Sequence, residues 1–188
     1  MSSAIVPAAG NATRFGGDKL AADVGGRRLL DRTIRSLLDG GAGQVVVVLP
    51  RDAAWTTMIE ALKDERVRTV INPDPSRGMF SSIQLGARAV DQSPVAVLPG
   101  DMPFVRSDTI EKLLTAGRRT HGIVAPRFNG RRGHPIVIPG AVRAAIIAAD
   151  AATRLDEFLS SQPHWRVDLD LDDGGVLHDV DTKEDLHS

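Results

Sequence analysis

The sequence predicts an α/β protein: a largely parallel β-sheet covered by helices on both faces. Three observations carry this. Short runs rich in β-branched residues alternate along the chain with stretches of helical apolar spacing. The run Gln44 to Leu49 has no polar face, as expected of a strand buried on both sides. No repeat, low-complexity segment or Pro/Gly/Ser-rich linker divides the 188 residues, a length that suits one domain (1–188) with a substantial core.

In order, Ala4 to Ala8 reads as the first strand. Leu29 to Leu38 has helical spacing and ends at Gly40-Gly41, a natural C-cap. Gln44 to Leu49 is a strand closed by Pro50, Ala54 to Leu62 a helix, and Arg68 to Ile71 a short strand ending at Asn72-Pro73. Met79 to Val90 is a helix and Val95 to Leu98 a second buried strand. Ser107 is placed to N-cap a helix running to Ala116, with Asp108 in its first turn. Gly122 to Pro126 and Ile136 to Ile138 read as strands, Ala141 to Ala149 and Leu155 to Ser160 as helices. Val167 to Leu171 alternates apolar and acidic residues, like an edge strand, and Thr182 to Leu186 opens with a capping-box-like Thr-Lys-Glu-Asp.

Composition excludes several classes. A net charge of −1, without a basic run, argues against nucleic acid as the main partner. With no cysteine there are no disulfides, thiolate metal sites or Cys nucleophiles, which fits a cytoplasmic protein. Met1 to Gly10 lacks the basic and long apolar regions of a signal peptide, and the aliphatic run Val45 to Leu49 is far too short to span a bilayer, so no membrane is expected.

In a parallel sheet, ligands bind beyond the carboxyl ends of the strands, so the loops following strands are where chemistry belongs. The first strand runs into Pro7-Ala8-Ala9-Gly10, then Arg14 and Lys19. Small residues let a ligand approach the backbone, and the two cations suit phosphates; alone, the loop reads equally as a glycine-rich surface loop. It matches neither G-x-G-x-x-G nor G-x-x-x-x-G-K-[ST], which argues against a nicotinamide-dependent oxidoreductase and against a P-loop. The buried strand Val95 to Leu98 ends in Gly100-Asp101-Met102-Pro103. A carboxylate there needs a partner; Mg²⁺ is one, and capping of a turn is the alternative. Asp179 and Asp181 alternate about Val180, so an extended segment presents both on one side, although Asp181 also suits the start of a helix. Arg132-Gly133-His134 reads as an anion contact or an exposed hairpin turn. Asn72 with Gly78 to Ser82 reads as an anion or ribose site or a simple N-cap. The stretch Asp168 to Asp173 lacks EF-hand spacing and reads as a solvated edge and turn.

Together these residues are familiar. Ala8-Ala9-Gly10, Arg14-Phe15-Gly16 and Lys19 resemble the L-A-A-G-x-S-x-R-[FM]-G-x-x-K signature of nucleotidyltransferases with a GT-A-like, Rossmann-like fold, a three-layer αβα sandwich. Asn72-Pro73 with Gly78-Met79 and Ser81-Ser82, Gly100-Asp101-Met102-Pro103, Arg132-Gly133-His134-Pro135 and Asp179-Val180-Asp181-Thr182 follow in the order of the MobA-like NTP transferases. Within that family they resemble the molybdenum cofactor cytidylyltransferase (MocA-like) branch. Pro7 stands where the signature has Leu, and Ala152-Thr153-Arg154 where the branch has G-A-R.

The resemblance implies a Mg²⁺-dependent enzyme that moves CMP from CTP to a phosphorylated acceptor such as molybdopterin. Ala8, Ala9 and Gly10 then border the nucleoside, with Asn72 and Ser82 near base and ribose. Arg14 and Lys19 hold the β- and γ-phosphates, and Asp101 and Asp181 bind Mg²⁺. Arg132 and His134 face the acceptor. The guanylyl branch reads L-A-G-G, so Ala9 leans toward CTP over GTP. The family also implies contact with a molybdoenzyme or its chaperone. The alternatives are a guanylyl- or cytidylyltransferase acting on a sugar or polyol phosphate, and a non-catalytic nucleotide-binding module.

Overall fold

In the computed structural model, the described residues are 1–10, 18–150, 153–162 and 166–187. Strand β1 (Ser3–Pro7) leads, after a single 3-10 turn at Lys19–Ala21, into a small hairpin of β2 (Asp23–Val24) and β3 (Arg27–Arg28). There follow α1 (Leu29–Asp39), β4 (Gln44–Pro50), β5 (Val67–Asn72), α2 (Met79–Ala89), β6 (Val95–Val97) and α3 (Ser107–Thr120). The chain ends with β7 (Ile123–Phe128), β8 (Arg131–Arg132), β9 (Ile136–Ile138), α4 (Gly140–Ala148), α5 (Leu155–Ser161) and β10 (Arg166–Asp170), then two 3-10 turns at Gly174–Leu177 and Glu184–His187.

The main sheet runs β10-β7-β9-β6-β1-β4-β5, with β8 paired to β7. Strands β6, β1, β4 and β5 are mutually parallel, as are β7 and β10, while β9 is antiparallel to both its neighbours. Side-chain alternation explains why the strands read as unbroken apolar runs. Ala4 and Val6 of β1, with Val45 and Val47 of β4, pack with α1 and α3 on one face. Ile5, Val46 and Val48 pack with α2, α4 and α5 on the other. This is the expected three-layer αβα architecture, with β10 at the expected edge.

Five local expectations are corrected. The helix at 54–62 is instead two 3-10 turns, Ala54–Met58 and Glu60–Lys63, broken at the buried, extended Ile59. Thr56 and Thr57 direct their hydroxyls to the carbonyls of Ala53 and Ala54, and the buried Asp31 carboxylate accepts from the Ala61 N–H at 2.6 Å, so side chains compete with a helical ladder. Ser107 is the first helical residue, not the cap; the preceding Arg106 N–H is held by the Asp173 carboxylate at 3.1 Å. That helix continues through Gly117, because a Cβ there would lie 2.7 Å from Val137 Cγ1: packing against the sheet retains a glycine that propensity alone reads as a stop. Asp173, assigned to a solvated turn, is 4% exposed. The hairpin turn between β7 and β8 is Asn129-Gly130, both at positive φ, while Arg131 and Arg132, read as part of a turn, pair with Phe128 and Arg127 as strand.

Candidate active site

The carboxyl ends of β6, β1, β4 and β5 share one edge of the sheet, and the loops leaving them enclose a cleft of about 880 Å³. Ala8 and Ala9 are almost fully buried in its floor. The Ala8 N–H donates to the Val48 carbonyl at 2.8 Å, so the ladder to β4 continues one residue past β1. Gly10 is exposed at the cleft, with no atom of the described residues within 4 Å of where a Cβ would stand. Small residues thus let the floor come up to a ligand's backbone-facing side.

Asp101 follows β6. The Gly100 carbonyl before it accepts from the buried Thr33 hydroxyl of α1 at 3.0 Å, which fixes the loop to the helix behind it. Asp181 arrives from the far end of the chain. The Val180 N–H donates to the Asp101 backbone carbonyl at 2.9 Å, and the Val180 side chain is buried with Val24 and Leu29. The two acids therefore converge. Lys19 Nζ lies between them, 2.9 Å from Asp101 Oδ2 and 3.3 Å from Asp181 Oδ1, with its side chain only 11% exposed. Burial works against the ammonium, but the hydrogen bonds and charges of Asp101 and Asp181 outweigh it and hold the Lys19 pKa above its ordinary value of 10.5.

The donors at this point suit a hard cation. Two hard carboxylate oxygens face one positive centre, an arrangement that already accepts a cation. Among the described residues no group of three or more His, Cys, Asp or Glu is placed to hold a metal by itself. That fits Mg²⁺, which takes one or two carboxylates and completes its shell with water and substrate phosphates.

Asn72 and Ser82 both line the cleft, yet their polar atoms are largely used on each other. Asn72 Nδ2 donates to the Ser81 and Ser82 hydroxyl oxygens at 3.0 and 2.9 Å, and its Oδ1 accepts from the Asp74 N–H at 3.0 Å. This pins the start of α2 to the end of β5. What faces a ligand is a rigid corner rather than a free amide.

Arg132 and His134 do not line the large cleft. They border a depression of about 150 Å³ over β7 and β9. Arg132 Nε is bonded to both Asp168 carboxylate oxygens, at 2.8 and 2.9 Å. Burial lowers the His134 pKa, against a hydrogen bond to the Val97 backbone and the charges of Asp101 and Asp179, and among the described residues its buried Nδ1 has no hydrogen-bond partner. Arg14 lies outside the described residues. Sequence reasoning missed Arg51, Asp52 and Trp55, which follow β4 and line the cleft. The signal was available, because this loop also leaves the carboxyl end of a buried parallel strand.

A cleft over four parallel strand ends, with paired acids and a lysine from loops 82 and 162 residues apart, is the context the motifs required. Residues 4–166 match the MobA-like NTP transferase domain. The chain belongs to this family. By family and by fold, the MobA-like transferase is a nucleotidyltransferase enzyme. It is 34% identical over 196 residues to nicotine blue oxidoreductase of Paenarthrobacter nicotinovorans, covering 97% of this chain and 93% of that protein. It is 26% identical over 183 residues to molybdenum cofactor cytidylyltransferase of Escherichia coli K12, covering 97% and 92%. Among solved structures, Rv0371c of Mycobacterium tuberculosis H37Rv superposes with a TM-score of 0.82 at 22% identity, over 98% of this chain and 95% of that one. The same protein has been solved in complex with manganese, where the TM-score is 0.79 with the same identity and coverage. Among the described residues of this transferase, no helix is long and apolar enough to cross a membrane.

Proposed function

We propose that this transferase moves CMP from CTP onto a phosphorylated acceptor, with molybdopterin the favoured acceptor, and releases pyrophosphate. The convergence of Asp101, Asp181 and Lys19 at one end of the strand-end cleft carries this reading. The cleft spans the ends of four strands, about 14 Å between the outer pair at ordinary strand spacing, so an extended nucleoside triphosphate can lie across it. The E. coli relative's name and Ala9, where the guanylyl branch has glycine, favour cytidine over guanosine.

In this reading Ala8, Ala9 and Gly10 border the nucleoside, while Asn72 and Ser82 form the corner near base and ribose. Asp101 and Asp181 hold Mg²⁺, and the manganese complex of the Rv0371c protein supports a divalent ion. When bound, the ion supplies charge stabilisation at the α-phosphate. Lys19 leaves the carboxylates for the β- and γ-phosphates, joined by Arg14. An acceptor phosphate, with its second pKa near 6, is already anionic. Its oxygen attacks the α-phosphorus in line, a new P–O bond forms, and the bond to the β-phosphate breaks with pyrophosphate taking the electron pair. No general base is needed; the residues contribute position and charge. Arg132 and His134 receive the acceptor from the neighbouring depression. The chain acts as one domain (1–188), because residues past 166 supply both β10 and Asp181. A cytoplasmic location accords with these substrates and with the absence of cysteine.

The test is pyrophosphate release from CTP or GTP with molybdopterin, a sugar phosphate or a polyol phosphate. CTP with molybdopterin turns over fastest, and Asp101→Asn lowers kcat at least ~100-fold, the scale of losing one electrostatic stabiliser. The relative named for a redox reaction supplies the second reading. Nicotinamide-dependent reduction of a dye substrate that survives Asp101→Asn, with no pyrophosphate from any nucleotide, would establish that reading and overturn the first.

A further inference from the structure

Asp181 sits on neither a strand nor a helix, so something must fix its carboxylate opposite Asp101. On one side is the Val180 N–H bond to the Asp101 carbonyl. On the other, a single oxygen of Asp185, Oδ2, accepts three donors: the Asp181 N–H at 3.0 Å, the Thr182 N–H at 2.7 Å and the Thr182 hydroxyl at 3.0 Å. These bonds close residues 181–185 into a tight turn ahead of the last 3-10 helix. One half of a capping box is present, the acid reaching back to the N–H groups, and the threonine hydroxyl serves as a third donor to that acid.

We propose that Asp185 is a positioning residue for the metal site: its carboxylate holds the Asp181 backbone so that the Asp181 side chain can share one divalent cation with Asp101. The proposal rests on the metal reading above and goes beyond it, since Asp185 is not among the residues lining the cleft. Its oxygen is committed to the peptide groups of residues 181 and 182. The direct hydrogen bond to the Asp181 N–H separates this role from a cap serving only the terminal helix, which would engage residues 182 onward. Partners that orient a metal ligand are worth about 10- to 100-fold in metal affinity.

The experiment is Mn²⁺ binding, followed by the paramagnetic resonance of free Mn²⁺ in the presence of a nonhydrolysable CTP analogue, on the full chain. Asp185→Ala weakens Mn²⁺ about 10- to 100-fold, and its kcat deficit shrinks as metal is raised, with the nucleotide KM at saturating metal unchanged. Asp185→Asn keeps an acceptor oxygen at the same place and recovers most of the affinity. Thr182→Val removes one of the three donors and leaves the acid, and a partial loss of roughly 3-fold is expected; it decides the matter if Asp185→Ala does not fold. Wild-type Mn²⁺ affinity in folded Asp185→Ala, or in Thr182→Val where the alanine variant does not fold, overturns the proposal. Asp181→Asn separates the two failures. If it loses Mn²⁺ while Asp185→Ala keeps it, only the positioning role falls. If Asp181→Asn itself binds Mn²⁺ as wild type does, the metal reading falls and takes the positioning role with it.

Discussion

Replacing Lys19 by Met should move metal binding and catalysis in opposite directions. The Lys19 ammonium lies between Asp101 and Asp181, 2.9 and 3.3 Å from their oxygens, at the place the proposed divalent cation would take. A metal must displace it and then bear its repulsion. Two unit charges about 4 Å apart interact by about 4 kcal/mol at an effective dielectric constant of 20. Most of that is offset here, because the Asp101 and Asp181 side chains are 27% and 49% exposed and the ammonium recovers water when released. Exposed pairs retain roughly 0.2–1 kcal/mol each, so the two together resist the metal by about 0.4–2 kcal/mol. Lys19→Met therefore tightens Mn²⁺ binding in the absence of nucleotide by roughly 2- to 30-fold, since about 0.4–2 kcal/mol is a factor of that size. It also removes a cation from the departing pyrophosphate, so kcat falls by at least ~100-fold. Titration calorimetry of the apoprotein with Mn²⁺ gives the first number and pyrophosphate release the second. Unchanged or weaker Mn²⁺ binding, with the circular dichroism spectrum intact, would refute the picture of Lys19 as the resident counter-cation.

Two further outcomes follow from packing and from the second depression. Gly86 on α2 faces β1 so closely that a Cβ would lie 2.4 Å from Ile5 Cγ2, in the middle of the core. Gly86→Ala should cost about 1–3 kcal/mol by overpacking and lower Tm by about 2–12 °C in a thermal melt; an unchanged Tm would mean that α2 can lift off the sheet at little cost. Arg132 is exposed and paired to Asp168 at the sheet edge. Arg132→Ala should change stability by less than about 1 kcal/mol while raising the acceptor KM and leaving the nucleotide KM as it was. A rise in the nucleotide KM instead would remove Arg132 from the acceptor side.

The fold was legible because burial on both sheet faces leaves a direct mark. Val45 to Leu49 can be apolar throughout only if helices cover both sides, and the structure places Val45 and Val47 against one layer, Val46 and Val48 against the other. Local propensity misled where a tertiary contact was decisive, as at Ile59, whose burial breaks the helical pattern of 54–62, and at Gly117, kept by its contact with Val137. Of the site, Asp101 was legible by type and position, because a carboxylate following Val95 to Leu98 asks for a cation, and Lys19 Nζ lies 2.9 Å from it; Asp181 read equally as the start of a helix.

What no spacing rule could supply was the pairing of residues 101 and 181. That depends on backbone passing against backbone. At Gly133 a Cβ would stand 2.0 Å from the Val176 carbonyl oxygen, and at Gly175 one would stand 2.1 Å from the Phe104 oxygen. Only glycine at both positions lets the C-terminal segment lie flat on the loops after β6 and β8, where the His134 N–H then donates to the Val176 carbonyl at 2.8 Å and Val180 reaches Asp101. The glycine of Arg132-Gly133-His134-Pro135 thus acts on the Asp101–Asp181 end of the cleft as well as on its own depression. A motif that reads as one contact surface along the sequence serves two places in the structure: Arg132 and His134 border the depression beside the cleft, while Gly133 and the His134 N–H hold the segment that carries Val180 and Asp181.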